Sequence, residues 1–204
     1  MSGQTVVTEI LAVRHGQSTW NEAGRWQGLA DPPLSDFGEL QATTAARAVG
    51  QIDVIVSSPL ERAYRSGVII GDIIGVGPVE VIDNLKERSV GQWEGLTRHQ
   101  IEAEWPGWIE GDRRPEGWEY EADLQARVVK AFTEIGHRFA GATILVVAHG
   151  GVLIAMEKFV EVNEARIPNL HGRIFRCVDG RFEAGQELSL IPDEMRTGGR
   201  SKRN

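Results

Sequence analysis

The sequence predicts an α/β domain built around a largely parallel sheet. Two observations carry this. Short apolar runs without strict polar alternation recur at Ile10–Val13, Val54–Val56, Val79–Ile82 and Thr143–Val147, the pattern of strands buried on both faces. Longer amphipathic helical patterns lie between them, and strand–helix alternation of this kind builds a parallel sheet.

Each element has a local reason. Ser35 can cap a helix from Asp36 to Val49, with Leu40, Ala45, Ala48 and Val49 as its apolar stripe. Pro59 suits the first position of a second helix, which runs to Ile74 and stops at Gly75. Thr97 can cap a short helix reaching Trp105, where Pro106 ends it. Leu124, Val128, Ala131, Phe132, Ile135 and Phe139 recur every three or four residues, which predicts a long helix between Glu121 and Ala140. Val152–Val160 reads as a mostly buried helix. Two weak strands follow, near Arg173–Val178 and Leu188–Ile191, with Asp179-Gly180 as a hairpin signal. No internal repeat and no linker divides the chain. Residues 1–196 are expected to form one domain and residues 197–204 a flexible basic tail.

Composition excludes several classes. The chain has 204 residues, 41% hydrophobic and 25% charged, as in globular proteins. It has no apolar stretch long enough for a membrane span and no basic-then-apolar start, so it is expected to be cytoplasmic, with no membrane partner. Its single cysteine, Cys177, excludes an internal disulfide framework and a multi-cysteine metal site. A net charge of −7 argues against a general nucleic-acid partner. A homodimer is compatible with the sequence, which does not encode the oligomeric state.

Ligands of open α/β sheets bind beyond the carboxyl ends of the strands. Arg14 and His15 follow the first run. Ser57, Ser58 and, one helical turn on, Arg62 follow the second. Glu87 follows the third, and His149 with Gly150 and Gly151 follows the fourth. Two histidines, two arginines and a carboxylate thus converge on one edge from four segments. Arginine's planar fork matches phosphate oxygens, and Gly150 and Gly151 leave backbone N–H groups at a helix start. A neutral imidazole can attack phosphorus while a carboxylic acid protonates the departing oxygen. The set needs no cofactor, and no Gly-x-Gly-x-x-Gly after a strand, Walker A loop or His-Glu-x-x-His is present. His15, His149 and Glu87 could instead ligate zinc, but two neighbouring arginines would repel a cation, so no metal is expected. His99 and His137 fall within helical patterns and read as structural.

The stretch Leu11-Ala12-Val13-Arg14-His15-Gly16-Gln17-Ser18-Thr19-Trp20-Asn21 resembles the Arg-His-Gly signature of the histidine phosphatase superfamily, the phosphoglycerate mutase-like family. The likeness continues through Arg25-Trp26-Gln27-Gly28, Pro33-Leu34-Ser35-Asp36-Phe37-Gly38, Ser57 to Ala63, Leu85-Lys86-Glu87 with Gly91 to Gly95, and Ala148-His149-Gly150-Gly151. It implies a three-layer α/β/α sandwich, phosphoglycerate mutase-like. It also implies roles. His15 is the nucleophile that becomes phosphohistidine. Arg14, Arg62 and His149 hold the phosphoryl group, and Asn21 and the Gly150 backbone complete the phosphate site. Glu87 is the general acid and then the base, and Gln27 and Gly28 border the substrate entrance. The nucleophile's identity, Asn21 and Gln27 rest on the resemblance alone.

The expected function is hydrolysis of a small phosphomonoester. The alternatives are a cofactor-dependent phosphoglycerate mutase and a non-catalytic phospho-ligand binder. The segment between Glu87 and His149 is short compared with true mutases. The insert from Glu102 to Glu121 carries seven acids against Arg113 and Arg114, which suits a mutase poorly. Many relatives place Gly-Glu-Ser before the long helix, whereas this chain reads Pro115-Glu116-Gly117-Trp118-Glu119-Tyr120. Of six tryptophans, Trp93 reads as core. Trp105, Trp108 and Trp118 are expected to form an aromatic lid over the pocket, from which a ring-bearing or apolar leaving group follows.

Overall fold

The computed structural model describes residues 6–162 and 166–197. Its strands are β1 (Val7–Arg14), β2 (Val54–Ser57), β3 (Glu80–Val81), β4 (Thr143–Ala148), β5 (His171–Val178) and β6 (Arg181–Ser189). Its helices are α1 (Thr19–Glu22), α2 (Asp36–Ala45), α3 (Glu61–Ile74), α4 (Arg98–Glu104), α5 (Glu121–Arg138) and α6 (Gly150–Phe159). The six strands form one sheet in the order β3-β2-β4-β1-β5-β6. β3, β2, β4 and β1 run parallel, and β5 and β6 are antiparallel additions at one side. The sheet is therefore mixed.

Period-two alternation sorts the strand residues into two cores. Ile10, Ala12, Ile144 and Val146 pack with Leu124, Val128 and Phe132 of α5 and Val152 and Met156 of α6. Leu11, Val13, Leu145 and Val147 pack on the other face with Ala42 and Ala45 of α2 and Ile69 and Ile70 of α3. Sheet residues covered on both sides explain the unbroken apolar runs. The layers are α2–α3, sheet, α5–α6, as the α/β/α expectation requires. A satellite core gathers Val90, Trp93 and Ile101, with Trp26, Trp105, Trp108 and Trp118 against it.

Several boundaries differ from the expected ones. α2 ends at Ala45, not Val49: beyond it the bonds mix three-residue turns (Arg47 N–H to Thr44 O, Ala48 N–H to Ala45 O) with four-residue ones (Ala46 N–H to Ala42 O, Val49 N–H to Ala45 O). Pro59 lies just ahead of α3, whose N-cap is Leu60. The final strand is Arg181–Ser189, not Leu188–Ile191. It starts directly after Asp179 (φ 49°) and Gly180 (φ 76°), a tight turn in which both residues are left-handed. Its composition is polar because it is the sheet's edge, and the register shifts between Arg173 and Phe175, so its exposure pattern lacks clean alternation. Thr197, expected in the tail, is tied down: its backbone carbonyl and its hydroxyl both bond Asn169. The rest of the expected tail lies outside the described residues.

Candidate active site

The carboxyl ends of β1, β2 and β4 deliver His15, Ser58 and His149 side by side. His15 N–H donates to Ala148 O, and Ser58 N–H donates to Val147 O. Helix α2 packs against the His15 loop closely: a Cβ on Gly16 would stand 2.6 Å from Gly38 O, and one on Gly38 would strike Gln17 O. Only glycine at both positions lets this helix start approach the loop.

The two imidazoles are almost fully buried, and their ring centroids are 5.2 Å apart. His15 Nδ1 lies 2.6 Å from Gly16 O, so Nδ1 carries the proton and Nε2 keeps its lone pair. His149 Nε2 lies 2.8 Å from Ser58 Oγ. That hydroxyl also accepts from Leu60 N–H and is assigned as the donor to His149 Nε2, the arrangement in which His149 Nδ1 carries the ring hydrogen. Burial first, then Arg62 and Arg14, hold the His15 pKa well below the ordinary 6.5. Burial first, then Arg62, His15 and Arg14, do the same for His149. Both rings are neutral.

This has a consequence for stability. At pH above about 6.5 neither the folded nor the unfolded chain protonates these rings. Below it the unfolded chain takes up protons that the folded chain refuses. Stability is therefore expected to fall as the pH drops below about 6.5, approaching ~1.4 kcal/mol per pH unit for each histidine. Urea midpoints at pH 7.5, 6.5 and 5.5, in phosphate-free buffer, check this. A flat profile would mean that the rings charge inside the fold.

Arg62 is fully buried at the start of α3. Its Nη1 donates to Ala30 O (2.8 Å) and its Nη2 to Gly28 O (3.0 Å). Gly28 adopts φ 51°, and a side chain there would collide with Glu94. Arg14 donates through Nη1 to Ile167 O at 3.0 Å, and burial lowers its pKa to about 10. Arg14 Nε, Arg62 Nε and His149 Nδ1 are all buried with no hydrogen-bond partner among the described residues. Orphaned buried donors are costly unless a ligand supplies the acceptor.

Glu87 reaches the start of α6, where its Oε1 accepts from Arg88 N–H (2.8 Å) and Gly151 N–H (3.1 Å). A Cβ on Gly151 would run into that carboxylate. Gly150 opens α6 beside Arg14. Asn21 closes a capping box with Ser18, and its Oδ1 also accepts from Asn169, which turns the amide N–H₂ outward. Gln27 Oε1 accepts from the Ser18 hydroxyl, so it too presents its amide donor.

A cavity of about 420 Å³ opens here, lined by Arg14, Asn21, Gln27, Gly28 and Glu87 together with Arg25, Arg88, Arg166, Trp26 and Trp118. The expected lid is only partly present. Trp118 lines the cavity, but Trp105 and Trp108 do not; they pack into the satellite core beside Trp93, which is 1% exposed. Nor do the insert's acids face the cavity: Glu110 pairs with Arg98, Glu119 with Arg127, and Glu121 with Arg88 and Lys158.

Sequence reasoning missed three supports. Ser58, noted only by position, fixes the His149 tautomer. Asn169, fully buried, donates to His15 O at 2.7 Å and to Asn21, and accepts from Thr197. Gln41, also buried, accepts from Gln17 N–H and donates to Met195 O. Buried side-chain amides flanking a reactive loop are the one sequence cue that could have suggested them, and only after the fold was known.

The family model of the histidine phosphatase superfamily (branch 1) matches residues 10–178. A glucosyl-3-phosphoglycerate phosphatase of Mycobacterium tuberculosis is 36% identical over 89% of this chain and 90% of its own length. A 2,3-bisphosphoglycerate-dependent phosphoglycerate mutase of Methylobacterium radiotolerans is 32% identical over 80% of this chain and 84% of its own. The solved native structure of a mycobacterial glucosyl-3-phosphoglycerate phosphatase superposes with a TM-score of 0.74 at 30% identity, covering 87% of this chain and 97% of that one. With its four strand-end blocks in the order seen above, the chain belongs to the histidine phosphatase superfamily, branch 1.

Proposed function

We propose that the protein hydrolyses phosphomonoesters through a phosphohistidine at His15. The observation that carries this reading is the trio of buried, unpartnered donors, Arg14 Nε, Arg62 Nε and His149 Nδ1, around a neutral imidazole with one free lone pair. His15 Nε2 attacks phosphorus as the ester P–O bond breaks. Arg14, Arg62 and His149 bind the equatorial oxygens, with Asn21 and the Gly150 N–H alongside. Glu87 gives its proton to the departing oxygen. It then takes one from the water that attacks the phosphohistidine, and inorganic phosphate leaves. Gln27 and Gly28 border the entrance. Positive charge at phosphorus comes from arginine, so the reading assigns no metal and no cofactor. A single free cysteine fits a reducing, cytoplasmic compartment. No helix among the described residues is long and apolar enough to cross a membrane.

A mutase is the second reading. Arg25, Arg88 and Arg166 line the cavity, and extra cations are what a retained bisphosphorylated intermediate needs. One experiment separates the two. The protein should release phosphate from 4-nitrophenyl phosphate without added metal, and phosphate from 3-phosphoglycerate in step with its loss. Formation of 2-phosphoglycerate from primed 3-phosphoglycerate, without matching phosphate, would make it a mutase. Because Ser58 orients the His149 ring, Ser58→Ala should lower kcat by about tenfold, ~1.4 kcal/mol, with KM little changed and Ser58→Thr restoring it. An unchanged kcat would show that His149 needs no such support.

A further inference from the structure

The candidate proton donor sits on backbone that no regular element holds. Residues 86–89 belong to neither helix nor strand, and Glu87 lies two residues beyond Leu85, which is buried with Leu124 and Val128 of α5. Backbone carbonyls in such a stretch need partners from elsewhere. Arg127 of α5 supplies them. Its Nη1 donates to Asn84 O (2.8 Å) and Lys86 O (2.7 Å), and its Nη2 donates to Glu87 O (3.0 Å). Its Nε and Nη2 also donate to the two carboxylate oxygens of Glu119, at 2.6 and 2.8 Å. A guanidinium has five N–H donors, and these bonds engage all of them. None is left for a substrate, and Arg127 does not line the cavity. Glu119 returns to the same loop: its Oε2 accepts from Ser89 N–H, and its own N–H donates to Ser89 O. One guanidinium–carboxylate pair thus grips the chain on both sides of Glu87. Leu124 and Val128 flank Arg127 along α5 and are fully buried, so the grip is anchored in the core.

The Glu87 carboxylate is aimed at the start of α6, where Gly151 N–H meets it. We propose that Arg127, paired with Glu119, is a positioning residue that keeps the Glu87 carboxyl within reach of the departing ester oxygen. The inference rests on the phosphatase reading for the role of Glu87. Lysine at 127 would keep the charge, but its donors radiate from one atom and cannot span three carbonyls and a carboxylate.

The test is a cycle of four proteins: the wild type, Arg127→Lys, Glu87→Gln and the double variant. Each is assayed with glycerol 3-phosphate, whose alkoxide needs the proton, and with 4-nitrophenyl phosphate, whose phenolate does not. Alone, Arg127→Lys should lower kcat for the alkyl ester by about thirtyfold and slow the burst of nitrophenol by less than about fivefold. In the Glu87→Gln background it should cost less than about threefold with either ester, because no acid remains to be positioned. A thirtyfold loss that persists without the Glu87 carboxyl overturns the proposal. So do equal slowing of both esters and wild-type rates in Arg127→Lys. Should Arg127→Lys fail to fold, Glu119→Gln leaves the guanidinium in place and takes its position in the cycle. Its expected loss is about fivefold for the alkyl ester and under about twofold for the burst, again vanishing in the Glu87→Gln background. If no ester turns over above a His15→Ala control, the phosphatase reading falls, and amide exchange decides the positioning. The Arg88 and Gly151 N–H groups, which donate to Glu87, should exchange at least about tenfold faster in Arg127→Lys while β4 keeps its protection. Unchanged exchange at both amides would leave Arg127 without that role.

Discussion

His15→Ala is expected to lower turnover of 4-nitrophenyl phosphate by at least about four orders of magnitude and to abolish covalent labelling from a phosphorus-labelled substrate. The size of the effect follows from the lack of a substitute. A phosphoryl acceptor needs an imidazole nitrogen with an available lone pair beside the anion site. His15 Nε2 meets that need because Gly16 O holds the proton on Nδ1. His149 is the neighbouring ring, but its Nε2 lone pair is engaged by Ser58 and its Nδ1 carries the hydrogen. Alkaline quenching preserves phosphohistidine, so the wild type should retain label and the variant none. A second readout guards against a folding artefact. The variant should lose one of the two buried rings behind the acid-side fall in stability, so its urea midpoint should depend less steeply on pH below about 6.5. Activity within tenfold of the wild type would remove His15 from the nucleophile's role.

How far the sequence alone carried the fold depended on burial. Runs such as Thr143–Val147 are covered on both faces, and nothing but a central parallel strand suits them. β6 lies at Arg181–Ser189 and not at the expected Leu188–Ile191 for the opposite reason: an edge strand whose residues mostly meet water carries little apolar signal. The site's main residues were legible because backbone geometry couples them to glycine. Gly16 admits α2, Gly28 aims a carbonyl at Arg62, and Gly151 admits Glu87. Ser58, Asn169 and Gln41 act through hydrogen bonds across sequence separations of 91, 154 and 24 residues, and no local pattern records such pairings. The same holds for Arg25, Arg88 and Arg166. Counted along the chain, residues 102–121 look acidic. In the fold none of those acids lines the cavity; Glu110 and Glu119 pair with Arg98 and Arg127, Glu121 is shared between Arg88 and Lys158, and the cavity lining itself is basic.

Glu87→Gln is the second large effect, and its value lies in its dependence on the leaving group. The amide can still accept from Arg88 N–H and Gly151 N–H, so the side chain should stay where the carboxylate sits. What disappears is the transferable proton. An alkoxide leaving from an alkyl phosphate needs that proton in the transition state, and its loss should slow turnover by about two to three orders of magnitude. A nitrophenolate leaves unaided, so phosphorylation of His15 by 4-nitrophenyl phosphate should slow by about tenfold or less. Hydrolysis of the phosphohistidine still lacks its base, however. The variant should therefore show a rapid release of nitrophenol equal to one per active site, followed by a slow steady rate. The two halves of the experiment separate the acid role from the base role. Equal slowing for both esters, with no burst, would reduce Glu87 to a group that orients the start of α6 and leave the proton donor to be found elsewhere on the cavity wall.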